Sequence, residues 1–384
     1  MLPADLRTTR VFAGLDQPTD FDFLPDGRVL VAERAGTIRV LENGGSRASS
    51  FLRIPSRVST ARFRGLVDVT VDPDFARYPF IYLVYAAERA GAPPDEPTTA
   101  RVSRFTVRDD EADPESEKVL LGTSAGPSCA ALPSTFDCLP ADADHIGADI
   151  AFAEDGSLFV ATGEGGGLEQ VEQTAFLAQD IDSLAGKILR VDRDGRGLED
   201  NPFWNGDPAA NRSKIWALGF RNPFRLALEP HSALLVAGDV GWDRYEELNL
   251  VTRRKDYGWP CLEGLGRTPR YRTVRFCRDY YARHADRAVA PTVAMAHPSA
   301  GSVTAGAFLR EATLLPERYR SQYLFGDWLV NKLWLTTIDD KPGPASVRAI
   351  GRNAAGPVTI RVGPDGAVYY LALNLGELRR ISAS

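Results

Sequence analysis

The sequence lacks long apolar runs and an excess of basic residues, and each absence excludes a class of function. No apolar run in the 384 residues reaches the length of about 18 that a transmembrane helix needs. The net charge of −6 argues against a surface built to follow nucleic-acid phosphates. The most basic local run, residues 253–255, is interpreted as a solvated turn. We therefore predict neither a membrane span nor a nucleic-acid partner.

Short catalytic motifs are missing as well. No GxSxG sequence is present, and the glycine-rich stretch TGEGGG at residues 162–167 lacks both the Lys-Ser/Thr of a P-loop and the helix that follows a dinucleotide-binding turn. The first residues, MLPADLRTTRVFAG, contain no apolar core of the kind found in signal peptides. This start is compatible with a cytosolic protein, or with the mature form of an exported protein to which Met has been added.

Cysteine is scarce, and its placement favours export. Cys129 and Cys138 flank one short polar stretch, and Cys261 and Cys277 flank another that is rich in Arg. No CxxC pair or nearby His completes a tetrahedral metal site, so we predict two local disulfides rather than a zinc site. Disulfides persist in oxidising compartments, and the expected location is therefore secreted or periplasmic.

One sequence pattern occurs six times. An alternating apolar strand is followed by a Pro-Asp or Asp-Gly turn, a second apolar strand and often a Gly before a third strand, a pattern typical of antiparallel hairpins. The six copies, one for every 64 residues of the chain, occupy residues 20–44, 68–86, 149–166, 225–241, 305–339 and 360–381.

These repeats predict an all-β fold. We expect a six-bladed β-propeller of four-stranded antiparallel sheets with long rim loops, forming one domain over residues 1–384, because closure of the ring removes exposed sheet edges. A pair of β-sandwiches is the alternative, although it does not require six copies of one pattern. The insertions at about 85–145 and 252–300 should gather on one rim around the central channel, where a binding site can form. The periodicity of residues 174–191 predicts one or two helical turns followed by a strand.

His145 is the first candidate for chemistry. It follows Asp144 and precedes Gly147 by two positions, directly before a predicted strand. A neighbouring carboxylate favours the protonated imidazole, so His145 could act as a general base with a raised pKa. The alternative is a surface histidine that binds a loop carbonyl.

Two further segments could bind a ligand. Arg221 and Asn222 precede Pro223 in an extended turn, which could present the guanidinium and the amide to a carboxylate or quinone oxygen, or use them on loop carbonyls. The segment GDVGWDRYEELN concentrates Asp and Glu around a glycine turn. That oxygen density can hold Ca²⁺, and a solvated acidic turn is the alternative.

Over nearly its whole length the sequence resembles the soluble PQQ-dependent sugar dehydrogenases, also called glucose/sorbosone or aldose sugar dehydrogenases. The resemblance depends on stretches in the same order, among them RGLVDVTVDPDF, DHIGADIAF, AQDIDSLAGKILRVDRDG, IWALGFRNPFRLALEP, GDVGWDRYEELN and DYGWP. It implies the six-bladed fold independently of the repeats. It also implies calcium-assisted hydride transfer from a sugar hydroxyl carbon to PQQ, with electrons passed on to an external acceptor.

The resemblance assigns roles to individual residues. It implies that His145 is the base, that Asp144 orients it, and that Arg221 and Asn222 contact the quinone. The backbone carbonyls of Gly241 and Trp242 correspond to ligands of the cofactor's Ca²⁺. Glu247 and the carbonyl of Tyr257 correspond to a second, structural calcium site.

At several positions this chain departs from the family pattern. Phe63 stands where many members have Gln, Leu329 aligns with a cofactor-facing Lys, and Gly356 and Val358 align with two Arg. Arg361 or Lys332 could substitute. Because PQQ carries three carboxylates, three interpretations stay open: a PQQ enzyme with a changed pocket, a calcium-dependent lactonase or other sugar-processing enzyme without PQQ, and a non-catalytic extracellular binding propeller.

Overall fold

Six antiparallel sheets form a ring in the computed structural model, which describes residues 2–42, 47–89, 91–93, 96–124, 126–141, 144–147, 149–167, 170–283, 287–339 and 345–384. The prediction of a six-bladed β-propeller is confirmed, and the alternative of two β-sandwiches is wrong. In each blade the chain enters on the innermost strand and proceeds outward through hairpins.

The strands follow the repeats. After β1 (Leu6–Ala13), blade 1 comprises β2 (Pro18–Phe23), β3 (Val29–Glu33), β4 (Thr37–Glu42) and β5 (Arg47–Arg53). Blade 2 comprises β6 (Leu66–Val71), β7 (Phe80–Ala86), β8 (Thr98–Arg108), β9 (Glu111–Ala112), β10 (Lys118–Leu121) and β11 (Leu139–Ala141). Blade 3 comprises β12 (Asp149–Phe152), β13 (Leu158–Thr162), β14 (Lys187–Val191) and β15 (Ile215–Leu218).

The second half of the ring is built in the same way. Blade 4 comprises β16 (Pro223–Leu228), β17 (Leu235–Asp239), β18 (Tyr245–Val251) and β21 (Val293–Ala296), with the small hairpin β19 (Leu262–Glu263) and β20 (Gly266–Arg267) inserted before β21. Blade 5 comprises β22 (Val303–Phe308), β23 (Tyr323–Asp327), β24 (Lys332–Thr336) and β25 (Arg348–Arg352). Blade 6 comprises β26 (Pro357–Val362), β27 (Val368–Ala372) and β28 (Glu377–Ala383), completed by β1.

Helices are short and lie outside the sheets. The α-helices are α1 (Asn211–Lys214), α2 (Arg275–Arg283) and α3 (Glu317–Arg320). The 3₁₀ turns are Pro55–Arg57, Pro114–Ser116, Cys129–Ala131, Thr174–Gln179 and Leu373–Leu375. The turn at Thr174–Gln179 before β14 matches the helical turn predicted there. Of the helices described, the longest has 9 residues, and none has the length and apolarity that crossing a bilayer requires.

The apolar core consists of six wedges between neighbouring blades rather than one centre. Each wedge collects side chains from two adjacent sheets, for example Leu30 and Ile38 of blade 1 with Val69 and Leu83 of blade 2. Both faces of the middle strands are therefore covered, and every residue of β3 is buried. This packing explains why the alternating apolar pattern recurs once per blade.

The two predicted disulfides are present. Cys129 bonds to Cys138 and Cys261 to Cys277. The second disulfide lies in an additional core cluster with Trp259, Tyr271 and Tyr280.

The ring is closed by pairing its two ends. β1 is antiparallel to β28, from Leu6 opposite Ala383 to Ala13 opposite Glu377, and forms the outer strand of blade 6. We expect deletion of residues 2–13 to lower the free energy of unfolding by several kcal/mol, since it removes a strand and exposes the edge of β28. Thermal unfolding followed by circular dichroism measures this effect, with deletion of residues 2–4 alone as the control. Equal midpoints for the two truncations would contradict this role of β1.

Candidate active site

The His145 loop is held against a glycine-rich turn between β13 and β14. The amide of Gly163 donates to the carbonyl of Ile146, and the amide of Gly165 donates to that of His145. A Cβ on Gly163 would lie 2.3 Å from the His145 oxygen, and one on Gly147 would lie 2.0 Å from the Gly163 nitrogen. The glycines of the TGEGGG stretch therefore permit a close crossing of two backbones.

This crossing places a carboxylate beside the imidazole. Nδ1 of the buried His145 lies 3.2 Å from both carboxylate oxygens of Glu164, whose Oε2 also accepts a hydrogen bond of 2.7 Å from the Gly166 amide. Glu164 therefore favours the tautomer with the proton on Nδ1 and leaves Nε2 with a lone pair. Within the described part of the chain, Nε2 has no hydrogen-bond partner.

Two expectations about His145 need correction. Asp144 was expected to orient it, but both oxygens of this carboxylate accept hydrogen bonds from the Arg62 guanidinium, at 3.1 and 2.9 Å. A raised pKa was also expected. Burial and the charge of Arg221 instead lower the pKa of His145, and the opposing effect of Glu164 and Asp144 is smaller. The imidazole is thus predominantly neutral at pH 7, as a general base requires.

Arg221 is buried beside this loop, and only some of its guanidinium donors make hydrogen bonds. Its Nη1 donates to the carbonyls of Val240 and Gly241, at 2.9 and 2.8 Å, and its guanidinium carbon lies 5.5 Å from the centre of the Trp259 ring. Its Nε and Nη2 find no hydrogen-bond partner among the residues described. Two buried guanidinium nitrogens without an acceptor among the described residues indicate a site for an anionic oxygen.

Direct contacts join the His145 and Arg221 loops. The Gly147 amide donates to the side-chain oxygen of Asn222 at 3.1 Å, and the Glu164 amide donates to the Arg221 carbonyl at 2.9 Å. The amides of Arg221 and Asn222 in turn both donate to the carboxylate of Asp239. These contacts bring the two candidate segments together, and Asn222 contributes by holding the His145 loop.

The turn that contains Gly241 and Trp242 is organised by a residue that sequence reasoning missed. Oε1 of Glu263 accepts hydrogen bonds from four consecutive amides, those of residues 242–245, at 2.8 to 3.3 Å. The Gly241 carbonyl points at Arg221. Glu263 is the Glu of DYGWPCLEG at residues 256–264, and only the folding of β19 toward the turn reveals its role.

The expected structural calcium site is an acidic cavity. A small space of about 10 Å³ is lined by three buried acids, Asp239, Glu247 and Glu263, together with Arg221 and Tyr257. Burial and the neighbouring carboxylates raise the pKa of Glu247 to about 8, and burial raises that of Asp239 to about 7. Oε2 of Glu263 has no hydrogen-bond partner in the described regions. Surplus buried negative charge around a space of ionic size fits Ca²⁺.

Two of the positions at which the family pattern is lost carry exposed apolar side chains. Phe63 is 58% exposed and Leu329 is 60% exposed, so neither side chain fills the channel. The suggested substitutes are engaged elsewhere. Arg361 pairs with Asp20 at 3.1 Å inside the channel, and the Lys332 ammonium lies 5.1 Å from the centre of the Trp334 ring. The expectation that either replaces a cofactor-facing cation is wrong.

Comparison with known proteins places the chain in one family of enzymes. The family model for glucose/sorbosone dehydrogenase matches residues 15–380. The chain belongs to the glucose/sorbosone dehydrogenase family. Membership confirms the resemblance recognised in the sequence and identifies an enzyme of the oxidoreductase class.

Individual members of this family are moderately similar. Aldose sugar dehydrogenase YliI of Escherichia coli is 29% identical over 67% of this chain and 62% of its own length. Quinoprotein glucose dehydrogenase B of Acinetobacter calcoaceticus is 27% identical over 66% of this chain and 52% of its own. The PQQ-bound aldose sugar dehydrogenase of Streptomyces coelicolor superposes with a TM-score of 0.74 over the whole of both chains, at 21% identity, which bears on the fold alone.

Proposed function

We propose that this protein oxidises a sugar at a hydroxyl-bearing carbon, with PQQ as the electron acceptor and Ca²⁺ as the assisting ion. The observation that carries the proposal is the pair of buried, unsatisfied polar groups in adjoining loops, Nε2 of His145 and the Nε and Nη2 of Arg221, identified among the described residues. A base and a fixed cation side by side suit removal of a proton while negative charge develops on an acceptor.

The protein residues perform the proton transfer. With Nδ1–H directed at Glu164, the Nε2 lone pair of His145 accepts the hydroxyl proton, and the Glu164 carboxylate stabilises the resulting imidazolium. The carbonyls of Val240 and Gly241 hold Arg221 so that its remaining N–H groups can bind an anionic oxygen. When bound, PQQ supplies the acceptor for the two electrons of the C–H bond.

The residues of the candidate site fit the quinone end of PQQ better than they fit its carboxylate groups. Arg221 and His145 provide the donor and the base, whereas the exposed apolar side chains of Phe63 and Leu329 stand where the family pattern has polar or cationic partners. Each missing partner leaves a carboxylate without a charge-assisted hydrogen bond. We therefore expect weak affinity for PQQ.

Restoring one cation should strengthen cofactor binding. We expect Leu329→Lys to lower the Kd for PQQ about tenfold, a gain of about 1.4 kcal/mol that is modest because the position is open to solvent. Fluorescence titration with PQQ measures it. Leu314→Lys, in the turn between β22 and β23 at the opposite end of the channel, is the matched control. Identical affinity of Leu329→Lys and wild type would argue against a PQQ carboxylate at this position.

Calcium in this proposal has two sets of ligands. Asp239, Glu247 and Glu263, with the carbonyl of Tyr257, would hold the structural ion in the small cavity. The carbonyls of Gly241 and Trp242 would hold the ion that accompanies the cofactor, where it acts as a Lewis acid.

The two disulfides support export to an oxidising compartment, either the periplasm or the exterior. In an assay, a soluble dye can take the place of the external electron acceptor.

The deciding experiment combines binding and turnover. Purified protein freed of metals is mixed with PQQ and Ca²⁺, the quinone absorption is recorded, and dye reduction is followed with a panel of aldoses. We expect a spectral change that depends on Ca²⁺, and bleaching when the preferred sugar is added. Absence of both at millimolar PQQ would overturn the proposal.

One alternative has a specific observation in its favour. The apolar residues Phe63 and Leu329 at the mouth of the site are also compatible with an enzyme that kept His145 and calcium but no longer binds PQQ. Such a calcium-dependent lactonase would hydrolyse sugar lactones, lose activity in EDTA and give no quinone spectrum.

A further inference from the structure

The centre of the propeller channel carries three acids that the reaction at His145 does not use. Asp20, Asp68 and Asp149 lie on β2, β6 and β12, the innermost strands of blades 1, 2 and 3. Each carboxylate places one oxygen within 4.8 Å of the others. The residues are 0%, 0% and 1% exposed. Three almost fully buried carboxylates therefore converge there.

Protein donors satisfy only one oxygen of each acid. Oδ2 of Asp20 accepts from the Val69 amide and from Arg361, at 3.3 and 3.1 Å. Oδ2 of Asp68 accepts from the Thr70 hydroxyl at 3.3 Å, and Oδ2 of Asp149 accepts from the Leu226 amide at 2.7 Å. In all three residues Oδ1 is buried and receives no hydrogen bond from an amide, hydroxyl or guanidinium group of the residues that the structure describes, and the three carboxyl groups interact with one another. Buried oxygens are rarely left in this state.

The two channel arginines pair with the acids but do not reach the Oδ1 atoms at hydrogen-bond distance. Arg225 donates to the main-chain carbonyls of Thr19, Val67 and Val358, and its Nη1 is 3.8 Å from Oδ1 of Asp149. Nη2 of Arg361 is 3.9 Å from the same oxygen, beyond hydrogen-bond distance. The guanidiniums therefore connect blades and do not satisfy the three Oδ1 atoms.

The charges of the surrounding side chains also favour a bound cation. Arg361 interacts with four carboxylates, those of Asp20, Asp22, Asp68 and Asp149, and only Arg225 adds a second positive charge near Asp149. Two negative charges remain in excess when all four are ionised. Burial and the charges of Asp20 and Asp149 raise the pKa of Asp68 well above its usual value, so a proton is the competitor for the site. One divalent cation would neutralise the whole group.

The site can be reached from the end of the channel opposite His145. A cavity of about 540 Å³ opens between the turns that follow the innermost strands, and Asp149, Arg225 and Arg361 line it. A hydrated ion can enter there without passing the candidate active site.

From these observations we propose that the channel binds one hard divalent cation, of which Ca²⁺ is the representative, through the Oδ1 atoms of Asp20, Asp68 and Asp149. This ion joins the inner strands of the first three blades. It is separate from the acidic cavity at Glu247 and does not depend on PQQ.

Counting bound calcium tests the proposal. Protein treated with a chelator is dialysed against micromolar Ca²⁺, and the ion is measured by mass spectrometry per mole of chain. The Glu247→Gln variant, which lacks the rim site, should retain one Ca²⁺ per chain, and Glu247→Gln/Asp68→Asn should retain none. Equal calcium content in these two variants would overturn the proposal, and it would identify the cluster as acids that share a proton.

A measurement on the wild-type protein covers the case in which Asp68→Asn does not fold. Crystals grown in Ca²⁺ should show an anomalous difference peak at about 2.3–2.6 Å from the three carboxylates. Absence of the peak, with two carboxyl oxygens at hydrogen-bond distance from each other, would refute the site.

Discussion

Replacing His145 by Gln is expected to lower kcat for sugar oxidation about 10²- to 10⁴-fold, the usual contribution of a positioned general base. The substitution keeps a polar side chain of similar size but removes the basic Nε2 lone pair. Stopped-flow dye reduction with the PQQ-loaded protein measures the change. Because Arg221 and the cofactor cavity remain, the Kd for PQQ should change by less than about threefold.

His231 provides the matched control, since it is 74% exposed and lies in the turn after β16 at the far end of the channel. His231→Gln should leave kcat unchanged. An equal kcat for wild type and His145→Gln would remove His145 from the reaction.

Glu164 can be tested by the pH dependence of the same reaction. The rate should rise with pH as His145 loses its proton, and the midpoint should lie below 6.5 because burial and Arg221 lower the pKa. The Glu164 carboxylate partly opposes that shift. Glu164→Gln should therefore move the midpoint to lower pH and reduce kcat, because the imidazolium loses its stabilising charge. A purely structural role would leave the midpoint in place.

Removing calcium is expected to destabilise the protein by several kcal/mol at pH 8 and much less at pH 5. In calcium-free protein the pKa of Glu247 is raised to about 8 and that of Asp239 to about 7. Between pH 4 and 8 the folded state then holds protons that the unfolded chain has released, so its stability falls as pH rises. Calcium binds the ionised carboxylates, and its stabilisation grows over the same range.

Differential scanning fluorimetry with and without Ca²⁺ measures this effect. We expect the two melting temperatures to differ by about 5 °C or more at pH 8 and to approach each other at pH 5. Glu247→Gln should reduce both the calcium effect and its pH dependence, whereas Glu154→Gln, at a 74% exposed position, should change neither. A calcium effect of equal size at both pH values would contradict the proposed ligands.

Most of the architecture could be predicted from local sequence. Strand alternation and Asp-Gly turns are encoded by neighbouring residues, and six copies of the pattern determine the number of blades. The disulfides were predicted because each pair is close in sequence, 9 and 16 residues apart. The pairing of β1 with β28 was missed, since it joins residues that are more than 360 positions apart.

The environment of the site could be predicted much less well. His145 and Arg221 were recognised by their motifs, but Asp144 was chosen as the partner of His145 because it is adjacent in the chain. A strand alternates its side chains, and a loop before a strand gives no rule for direction, so adjacency did not identify the contact. Glu164 lies 19 positions away and reaches Nδ1 only because two glycine-rich backbones cross.

By itself the sequence determined the blade count and the disulfide pairs, because these follow from residue patterns that repeat or lie close together. Tertiary structure alone decided that Glu164 faces His145, that Glu263 supports the Gly241 turn, and that Asp20, Asp68 and Asp149 meet in the channel. The repeats at residues 20, 68 and 149 each begin with Asp, a signal that acquires meaning only when ring closure turns one residue of each inner strand toward a common axis.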